Sequence, residues 1–350
     1  MPLKILTIVG ARPQFIKAAA VSRAIRETNG LAEVMVHTGQ HFDPNMSDVF
    51  FEELDIPKPR HHLDINGGGH GEMTGRMLMA IEPILLAEKP DWVVVYGDTN
   101  STLAGSLAGS KLHIPVAHVE AGLRSFNRRM PEEINRVVTD HISTLHFCPT
   151  SSSVANLAAE GVVKGVHHVG DVMYDATLFA TTKAEKSSVI LSDLGLKPTE
   201  YALATIHRAE NTDEPRQLGA VVQFLQERAR VHPVVLPLHP RTRHAASRMG
   251  VGLDGLKVID PVGYLDMAKL LHHAVQVYTD SGGLQKEAYF HRVQCTTLRD
   301  ETEWTETISH GWNRLWKGPD YEPRREIGEY GEGDAAFKIA RLLGASGPEC

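Results

Sequence analysis

The segment VQVYTDSGGLQKE, from Val275 to Glu287, combines an apolar run, a Ser-Gly-Gly turn and the start of a helix that carries an acid. We predict a strand over Val275 to Thr279 followed directly by a helix, the unit from which doubly wound parallel sheets are built. The turn amides and the positive helix end can face a diphosphate, and Glu287 can bind ribose hydroxyls. The alternative is a Gly-rich helix N-cap followed by a glutamate that only complements the helix dipole. The segment favours an α/β fold with a nucleotide-sugar site.

Similar apolar runs alternate with amphipathic stretches along the whole chain, and we predict each run to be a buried parallel strand. The predicted strands are Ile5 to Val9, Val34 to His37, Trp92 to Tyr96, Val116 to Val119, Tyr201 to Thr205, Val234 to Pro237, Lys257 to Ile259, Val275 to Thr279 and Gln294 to Leu298. This order predicts an α/β fold of two doubly wound Rossmann-like domains with the ligand in the cleft between them. A polar stretch from Thr181 to Ser187 is predicted to be the linker.

Length, charge and cysteine content narrow the class of protein. A chain of 350 residues exceeds what one core usually supports, so two domains are expected. The net charge of -7 argues against a nucleic-acid partner. Three scattered cysteines fit a reducing compartment, and the N-terminal apolar run is too short for a signal core or a membrane span. We therefore expect a cytoplasmic protein with no membrane partner.

Two patterns that suggest a cofactor are weak. Gly250, Gly252 and Gly255 form a G-x-G-x-x-G string, but it follows a helical stretch and precedes a strand, the reverse of the dinucleotide fingerprint. Adjacent pairs among the 19 histidines, such as His272-His273, should not face a common point on regular elements. We expect no NAD and no metal.

Charged residues follow the predicted strands of the first half. Arg12 and Lys17 flank a strand-to-helix turn and could reach an anion, although Arg12 could also be a solvated surface residue. Asp98, Glu120 and Glu132 lie at strand ends or helix starts, where parallel strands deliver side chains to one edge. Taken alone, Asp98 could be a helix N-cap and Glu132 a dipole-complementing acid. Together the three acids predict a cluster for acid-base chemistry.

The second half repeats this arrangement with cations. His207 and Arg208 follow its first strand and could face the same diphosphate from the other side, although a satisfied loop histidine is an alternative. His239 follows the next strand as a cleft wall. Arg299, after the last predicted strand, could shape the same pocket.

Taken together, these strings resemble the non-hydrolysing UDP-N-acetylglucosamine 2-epimerase family, which has the glycosyltransferase-B fold. The matching strings are GARPQFIK from Gly10, HTGQH from His37, YGDTNST from Tyr96, HVEAGLRS from His118, MPEEINR from Met130, VGDVMYD from Val169, HRAEN from His207, TDSGGLQKEA from Thr279, RDETEW from Arg299 and YGEGDAAFKI from Tyr330. The last string resembles the family's closing helix. We therefore predict a first domain of residues 1–170 joined by a C-terminal helix at 333–345, and a UDP-binding domain of residues 171–332.

The resemblance implies a mechanism. Members of this family expel UDP from C1 while the C2 proton is removed, hold a 2-acetamidoglucal intermediate, and add UDP back with the proton on the opposite face. This chemistry requires cations for the leaving diphosphate and carboxylates for the protons. The catalytic residues implied are Asp98, Glu120, Glu132 and His207, without deciding which acid removes the proton. The binding residues expected from the resemblance and the patterns above are Arg12, Lys17, His207, Arg208, Ser281, Gly282, Gly283, Glu287 and Arg299.

The RDETEW and HRAENTD strings more closely resemble the branch that acts on UDP-2,3-diacetamido-2,3-dideoxyglucuronate, whose product enters lipopolysaccharide. A uronate requires an extra cation, for which Arg124, Arg128 and Arg129 are candidates. The alternative is UDP-N-acetylglucosamine itself. More distant alternatives are a glycosyltransferase, a hydrolysing epimerase and a nucleotide-sugar sensor. The resemblance also implies a UDP-sugar ligand and a homodimer.

This chain departs from the family pattern at three places. Gln14 stands where many members carry Glu, and His291-Arg292-Val293-Gln294 replaces a usual aromatic-Gly-Lys-Pro. The string HFDPNMSD, from His41 to Asp48, replaces a more usual charged string. In bacterial members that region and an Arg like Arg76 contribute to a second, activating substrate site. The resemblance leaves that activating site unassigned in this chain.

Overall fold

The structure is a computed structural model that describes residues 2–40, 51 and 53–345. The chain divides into two compact units, the first made of residues up to Ala176 and those from Gly328 onward, the second of Thr177–Ile327. These divisions lie a few residues from the sequence-based boundaries at 170/171 and 332/333. The departure at His41 to Asp48 falls outside the described residues.

Each unit is built on one fully parallel sheet. The first sheet has the order β3-β2-β1-β4-β5-β6-β7 and the second the order β10-β9-β8-β11-β12-β13. The strands are β1 (Leu3–Val9), β2 (Leu31–His37), β3 (His61–His62), β4 (Trp92–Tyr96), β5 (Val116–Val119), β6 (Leu145–Cys148), β7 (Val166–His168), β8 (Ala202–Thr205), β9 (Val234–Pro237), β10 (Lys257–Ile259), β11 (Gln276–Thr279), β12 (Cys295–Thr297) and β13 (Asn313–Leu315).

All nine predicted strands are confirmed, with shifts only at their ends. Four strands were missed: β3, β6, β7 and β13. All four contain histidine or arginine within two to four residues, as in His61–His62 and Asn313–Leu315, and so lack a continuous apolar run. The parallel α/β class predicted from the sequence is confirmed.

Helices connect the strands. They are α1 (Arg12–Glu27), α2 (His70–Glu88), α3 (Asn100–Lys111), α4 (Pro131–Ile142), α5 (Ser151–Ala159), α6 (Val172–Ser187), α7 (Ile190–Asp193), α8 (Ala209–Thr212), α9 (Pro215–Arg228), α10 (Pro240–Met249), α11 (Tyr264–His272), α12 (Gly282–Phe290), α13 (Thr305–Ser309) and α14 (Ala335–Ala345), with one 3-10 turn at Gly328–Tyr330. Helix α14 packs against α1 in the first unit. Helix α10 precedes the Gly250 string and β10 follows it, as the sequence order indicated.

The predicted linker from Thr181 to Ser187 is wrong, because this stretch is the second half of α6. Its polar side chains are compatible with a helix since the hydroxyls of Thr181 and Thr182 donate to the carbonyls four residues earlier. A buried apolar stripe at every fourth position favours the helix; it consists of Val172, Ala176, Ala180 and Ala184.

The strands are apolar because helices cover both faces of each sheet. In the first unit, Leu6 and Val93 of adjacent strands are fully buried and belong to one cluster with Met77 and Ile81 of α2. In the second unit, Leu203 and Val277 are fully buried in a corresponding cluster. Each such side chain contributes roughly 1.5–3 kcal/mol by burial. These cores fix the carboxyl ends of the strands, where the candidate site residues lie.

Candidate active site

The site residues of the first unit follow three neighbouring strands. The chain passes from β1 to β2 on one side of the sheet and later returns to β4 on the other, so the loops after β1 and β4 diverge at this point. In open α/β sheets such a switch point leaves a crevice at the carboxyl ends of the strands. The turn at Gly10, Asp98 after β4, and Glu120 after β5 all lie at this edge.

Gln14 fixes the turn that follows β1. Its side-chain oxygen accepts from the amides of Gly10 and Ala11 at 2.8 and 3.0 Å. Its amide nitrogen donates to the carbonyl of Tyr96 and to the hydroxyl of Thr102 at 2.8 and 2.9 Å. The side chain is buried and uses both its donors and its acceptor, which gives the departure from Glu a physical basis: a carboxylate has no N–H for the Tyr96 carbonyl.

Gly10 is needed here because two side chains approach its backbone. A Cβ added at this position would lie 2.0 Å from Thr38 Oγ1 and 2.2 Å from Ser101 Oγ. The helix that follows begins at Arg12, which is exposed, and carries Lys17 one turn on, which is buried. The turn therefore places Arg12 at the surface and directs Lys17 toward the neighbouring strands.

Asp98 is not the N-cap of α3, because Thr99 takes that position and accepts from the amide of Thr102. The guanidinium of Arg136 binds the Asp98 carboxylate. The main-chain carbonyl of Asp98 accepts from the side-chain amide of Asn135 at 2.9 Å. Its side chain is 31% exposed, so it is held from α4 while remaining accessible. The N-cap alternative is excluded for Asp98.

Glu120 has a positive φ of 72°, in the region that favours glycine. Its carboxylate is 2.5 Å from the ammonium of Lys17, and the pair is nearly buried. A Cβ added at Gly97 would lie 3.5 Å from Glu120 Oε1 and 3.4 Å from Lys17 Nζ, so the pair lies beside the turn that carries Asp98. Strained backbone at a charged residue is typical of functional sites, at a cost of roughly 1–3 kcal/mol.

The two acids that open α4 have different environments. Glu133 is buried and accepts from the amides of Ser125 and Phe126 and from Arg136. Although burial disfavours its charge, these hydrogen bonds hold the pKa of Glu133 below its usual value. Glu132 is exposed and lines a cavity of the first unit. Glu133 therefore anchors a loop, and Glu132 is the one available for chemistry.

Three predicted site residues line one cavity of about 190 Å³ in the first unit: Lys17, Asp98 and Glu132. Gln14 and Asn135 also line it. Glu120 joins this group through Lys17. The predicted acid cluster is thus brought together, with a cation beside two of its three members.

A buried network supports this cluster, and sequence reasoning missed it. The ring of His118 bridges the carbonyl of Gly97 and the carboxylate of Asp140, both at 2.7 Å. Asp140 also accepts from Arg124 at 2.7 Å and from the amide of Gly122 at 3.1 Å. Burial disfavours its charge, but its interactions with His118 and Arg124 hold the pKa of Asp140 below its usual value. His118 therefore positions the turn before Asp98, and only its place in the HVEAGLR string could have indicated this.

Arg124 is not available to bind a substrate carboxylate. Its guanidinium is 1% exposed, binds Asp140, and forms a two-point ion pair with Glu160 at 2.7 Å. The interpretation of Arg124 as a candidate uronate ligand is wrong for this reason. Arg128 and Arg129 are exposed in the loop before α4.

In the second unit the central strands β8 and β11 bring His207 and Asp280 together. Asp280 is fully buried; its carboxylate is 2.9 Å from His207 Nδ1 and accepts from the amides of His207 and Arg208. Burial disfavours the charge, but these partners hold the pKa of Asp280 below its usual value. The His207 side chain is half exposed. Asp280 orients the histidine, a role that the sequence pattern alone does not indicate.

The Ser-Gly-Gly turn begins α12, as predicted. Ser281 is the N-cap, and its hydroxyl accepts from the amide of Leu284 at 3.4 Å. A Cβ added at Gly282 would lie 2.4 Å from Glu303, whereas Gly283 faces open space. Glu287 is half-buried within the helix. The N-cap alternative for Ser281 is therefore true, and it is compatible with an anion at the same helix end.

Arg208 follows β8 and Arg299 follows β12, the two strands on either side of β11. Arg299 forms an ion pair with Glu303 at 2.9 Å and lines a hollow of about 270 Å³ together with Glu210 and Asn211. Arg208 lies 4.0 Å from Glu210. The predicted wall residue His239 is the exposed N-cap of α10. The two predicted arginines thus share an acidic neighbour.

Among residues 2–40, 51 and 53–345, the structure has no helix long and apolar enough to cross a bilayer. The expectation that adjacent histidines do not face one another is wrong for His272 and His273, whose ring centroids are 4.9 Å apart. The reason is that α11 ends between them, so the regular spacing of a helix does not apply.

Two parallel-sheet units with acids at one switch point and a histidine and helix N-terminus at the other define an α/β enzyme of the nucleotide-sugar class. A sequence model described as UDP-N-acetylglucosamine 2-epimerase matches residues 23–344. The chain belongs to this family, and the predicted membership, isomerase class and glycosyltransferase-B fold are confirmed.

Individual relatives span the whole chain. It is 54% identical to the UDP-2,3-diacetamido-2,3-dideoxy-D-glucuronate 2-epimerase of Pseudomonas aeruginosa, with 97% of this chain and 99% of that protein covered. It is 45% identical to the UDP-N-acetylglucosamine 2-epimerase of Methanocaldococcus jannaschii, with the same coverage. A crystal structure of the M. jannaschii UDP-GlcNAc 2-epimerase with UDP-GlcNAc and UDP superposes with a TM-score of 0.85 at 42% identity, covering 99% of this chain and 100% of that one.

Proposed function

We propose that this protein inverts C2 of UDP-2,3-diacetamido-2,3-dideoxyglucuronate to give the manno epimer. The identity of 54% to a relative of that name favours this substrate over UDP-N-acetylglucosamine, the alternative. In the proposed first step the C1–O bond breaks and UDP leaves with its electron pair. A carboxylate takes the C2 proton, and a C1=C2 double bond forms. In the second step the UDP oxygen adds to C1 while a proton is delivered to the opposite face of C2.

The observation that carries this proposal is the cavity of the first unit, where Asp98 and Glu132 face one space beside the Lys17–Glu120 pair. Inversion through a glycal needs proton donors or acceptors on two faces of C2, and separate carboxylates can serve them. Arg136 would hold Asp98 in place, and Lys17 would hold Glu120. Either acid, or Glu132, could be the one that first removes the proton.

In this proposal the second unit holds UDP. The helix N-terminus at Ser281–Gly283 would face the phosphates, and Glu287 would take the ribose hydroxyls. His207, with Arg208 and Arg12, would stabilise the charge that develops on the departing diphosphate. The role of Asp280 would be to keep His207 in one orientation.

The mechanism is tested by running the reaction in deuterium oxide. We expect one deuterium at C2 of the epimerised product and of recovered substrate, detected by mass spectrometry and proton NMR. A glycosyltransferase would show no exchange without an acceptor, and a hydrolysing enzyme would release free sugar. Epimerised product that keeps its original hydrogen would rule out elimination. Binding of UDP without any turnover at high enzyme concentration would instead favour a nucleotide-sugar sensor.

The substrate is tested by assaying both UDP-sugars side by side. We expect kcat/KM for the diacetamido uronate to exceed that for UDP-N-acetylglucosamine by at least about tenfold, the value of one charge-assisted hydrogen bond. Equal turnover of both would reject the uronate assignment and leave the epimerase assignment in place.

We further propose that catalysis uses neither NAD nor a metal. The protein is also proposed to form a homodimer and to act in the cytoplasm, in lipopolysaccharide sugar synthesis. The proposed steps involve no net oxidation, since the C2 hydrogen leaves and returns as a proton. Full activity after dialysis against EDTA, and a dimer mass by light scattering, are the expected results.

A further inference from the structure

A group of histidines and one glutamate lies away from the residues discussed above, at the edge of the second sheet where the strands begin. Glu185 is in the last turn of α6, His272 ends α11, and His273 caps that helix. One ligand atom from each of the three, a carboxylate oxygen and two ring nitrogens, lies within 4.8 Å of the others. Carboxylate and imidazole are ligands that first-row transition metals share.

The Glu185 carboxylate is already oriented by its neighbours. One oxygen is 2.8 Å from His273 Nε2, and the other is 2.8 Å from the ammonium of Lys269. A carboxylate with one oxygen fixed by a second residue and the other facing imidazoles is the usual arrangement of a metal-ligating acid.

His291 supplies a partner for His272. Their Nδ1 atoms are 3.3 Å apart, and His291 is buried at the end of α12. An imidazole has two ring nitrogens, so one that shares a hydrogen bond leaves the other to bind a metal. A ring that shares a hydrogen bond with a buried second ring also has a fixed orientation.

The surroundings favour a cation that enters from solvent. The last turns of α6 and α11 present partial negative charge. The Glu185 and His273 side chains are 40% and 22% exposed, which leaves an entry path. The Lys269 ammonium is the one opposing charge among the contacts described, and an ion-pair cluster without metal is the rival interpretation.

We propose that Glu185, His272 and His273 form a binding site for a divalent transition-metal ion of the Zn²⁺ class, separate from the catalytic residues. A carboxylate oxygen and two imidazole nitrogens supply three ligands, and water completes a tetrahedron. The ion would tie the end of α6 to the end of α11. It stabilises the fold and takes no part in epimerisation.

The test uses the untagged full-length chain, stripped with EDTA and titrated with Co²⁺ by visible absorption and with Zn²⁺ by calorimetry. We expect one ion per chain. His273→Gln and Glu185→Gln should each weaken binding by at least about tenfold. His244→Gln, which changes an exposed histidine on α10, is the matched control and should bind as the native chain does.

Circular dichroism melts in EDTA check that each variant folds, and the isosteric Glu185→Gln carries the test if His273→Gln does not. Equal Co²⁺ affinity in the native chain and Glu185→Gln would overturn the site, as would an equal loss in His244→Gln. Because the readout is metal binding, a negative result leaves the epimerase proposal untouched.

Discussion

At the scale of single residues, the role of Arg124 is determined by its burial and its two acidic partners. Its guanidinium is 1% exposed and binds two carboxylates, those of Asp140 and Glu160. Arg124→Gln leaves the buried Asp140 without a cation, and we expect it to lower the free energy of unfolding by about 3–5 kcal/mol, measured by urea denaturation. A variant as stable as the native chain would contradict this buried-pair assignment.

Substitutions at Arg128 and Arg129 test substrate binding, whereas the substitution at Arg124 tests stability. Both are exposed, so replacing either with Gln should leave stability within about 0.5 kcal/mol. If one of them binds the C6 carboxylate, its Gln variant should raise KM for the uronate roughly tenfold or more and leave KM for UDP-N-acetylglucosamine unchanged. Parallel changes for both sugars in each variant would exclude both arginines as the uronate ligand.

Asp280 is a positioning residue rather than a catalytic one, because it acts through His207. In Asp280→Asn an amide replaces the carboxylate that His207 Nδ1 and two backbone amides share. We expect kcat to fall by at least about tenfold while KM stays within about twofold, because His207 is proposed to act on the diphosphate as it departs. Asp260→Asn, at an exposed ion pair with Arg243, is the control. A loss of kcat no larger than the loss of folded protein would indicate a purely structural role.

At the scale of elements, α6 is the clearest test of helix packing against composition. Ala180 is fully buried in its four-residue stripe, whereas Thr182 is exposed. Ala180→Leu should cost about 1–3 kcal/mol through overpacking, and Thr182→Leu should change stability by less than about 0.5 kcal/mol. Melting temperatures of the two variants provide the comparison. Equal melting temperatures would mean that the stripe faces solvent.

Elements were predictable where burial produced a continuous pattern. The runs Trp92–Tyr96 and Val234–Pro237 were located to the residue, because strands covered on both faces must be apolar throughout. β3 and β13 were not, since two- and three-residue strands with polar side chains have too little pattern to detect. Helix α6 was missed because threonine and lysine concealed its alanine stripe.

The site residues divide in the same way. The placement of Asp98 and Glu120 at one edge of the sheet was predictable, because parallel strands deliver the residues that follow them to that edge. Arg136 and Asp140 were not: each acts through a partner many residues away in the sequence, and only the packing of α4 on the sheet brings them together. Single-sequence spacing has no signal for such contacts.

At the scale of the whole molecule, the first unit is assembled from two separate chain segments, and Asp175 joins them. Its Oδ1 accepts from the amide of Ala336 at 2.9 Å, at the start of α14. Its Oδ2 is buried and has no hydrogen-bond partner among the described residues. Burial, with a contribution from Asp171, raises the pKa of Asp175 from 3.8 to about 6. The folded protein therefore disfavours the charged form of the Asp175 side chain.

The sign of the resulting pH dependence follows from linkage. A carboxyl with a raised pKa in the folded state favours folding while it is protonated, and this contribution is lost as pH rises from about 4 through about 6. Asn has no such titration. We therefore expect the stability of Asp175→Asn relative to the native chain to rise by about 1–1.5 kcal/mol between pH 5 and pH 8, at 1.36 kcal/mol per pKa unit.

Calorimetric unfolding of both proteins across that pH range measures the difference, and any constant packing cost of the amide cancels because only the slope with pH is compared. Asp193→Asn, at an exposed aspartate of α7, should show no such slope. A flat difference for Asp175→Asn would mean that the carboxylate is already solvated or paired when charged. A rising difference would identify the junction between α6 and α14 as the place where neutral pH costs this protein stability.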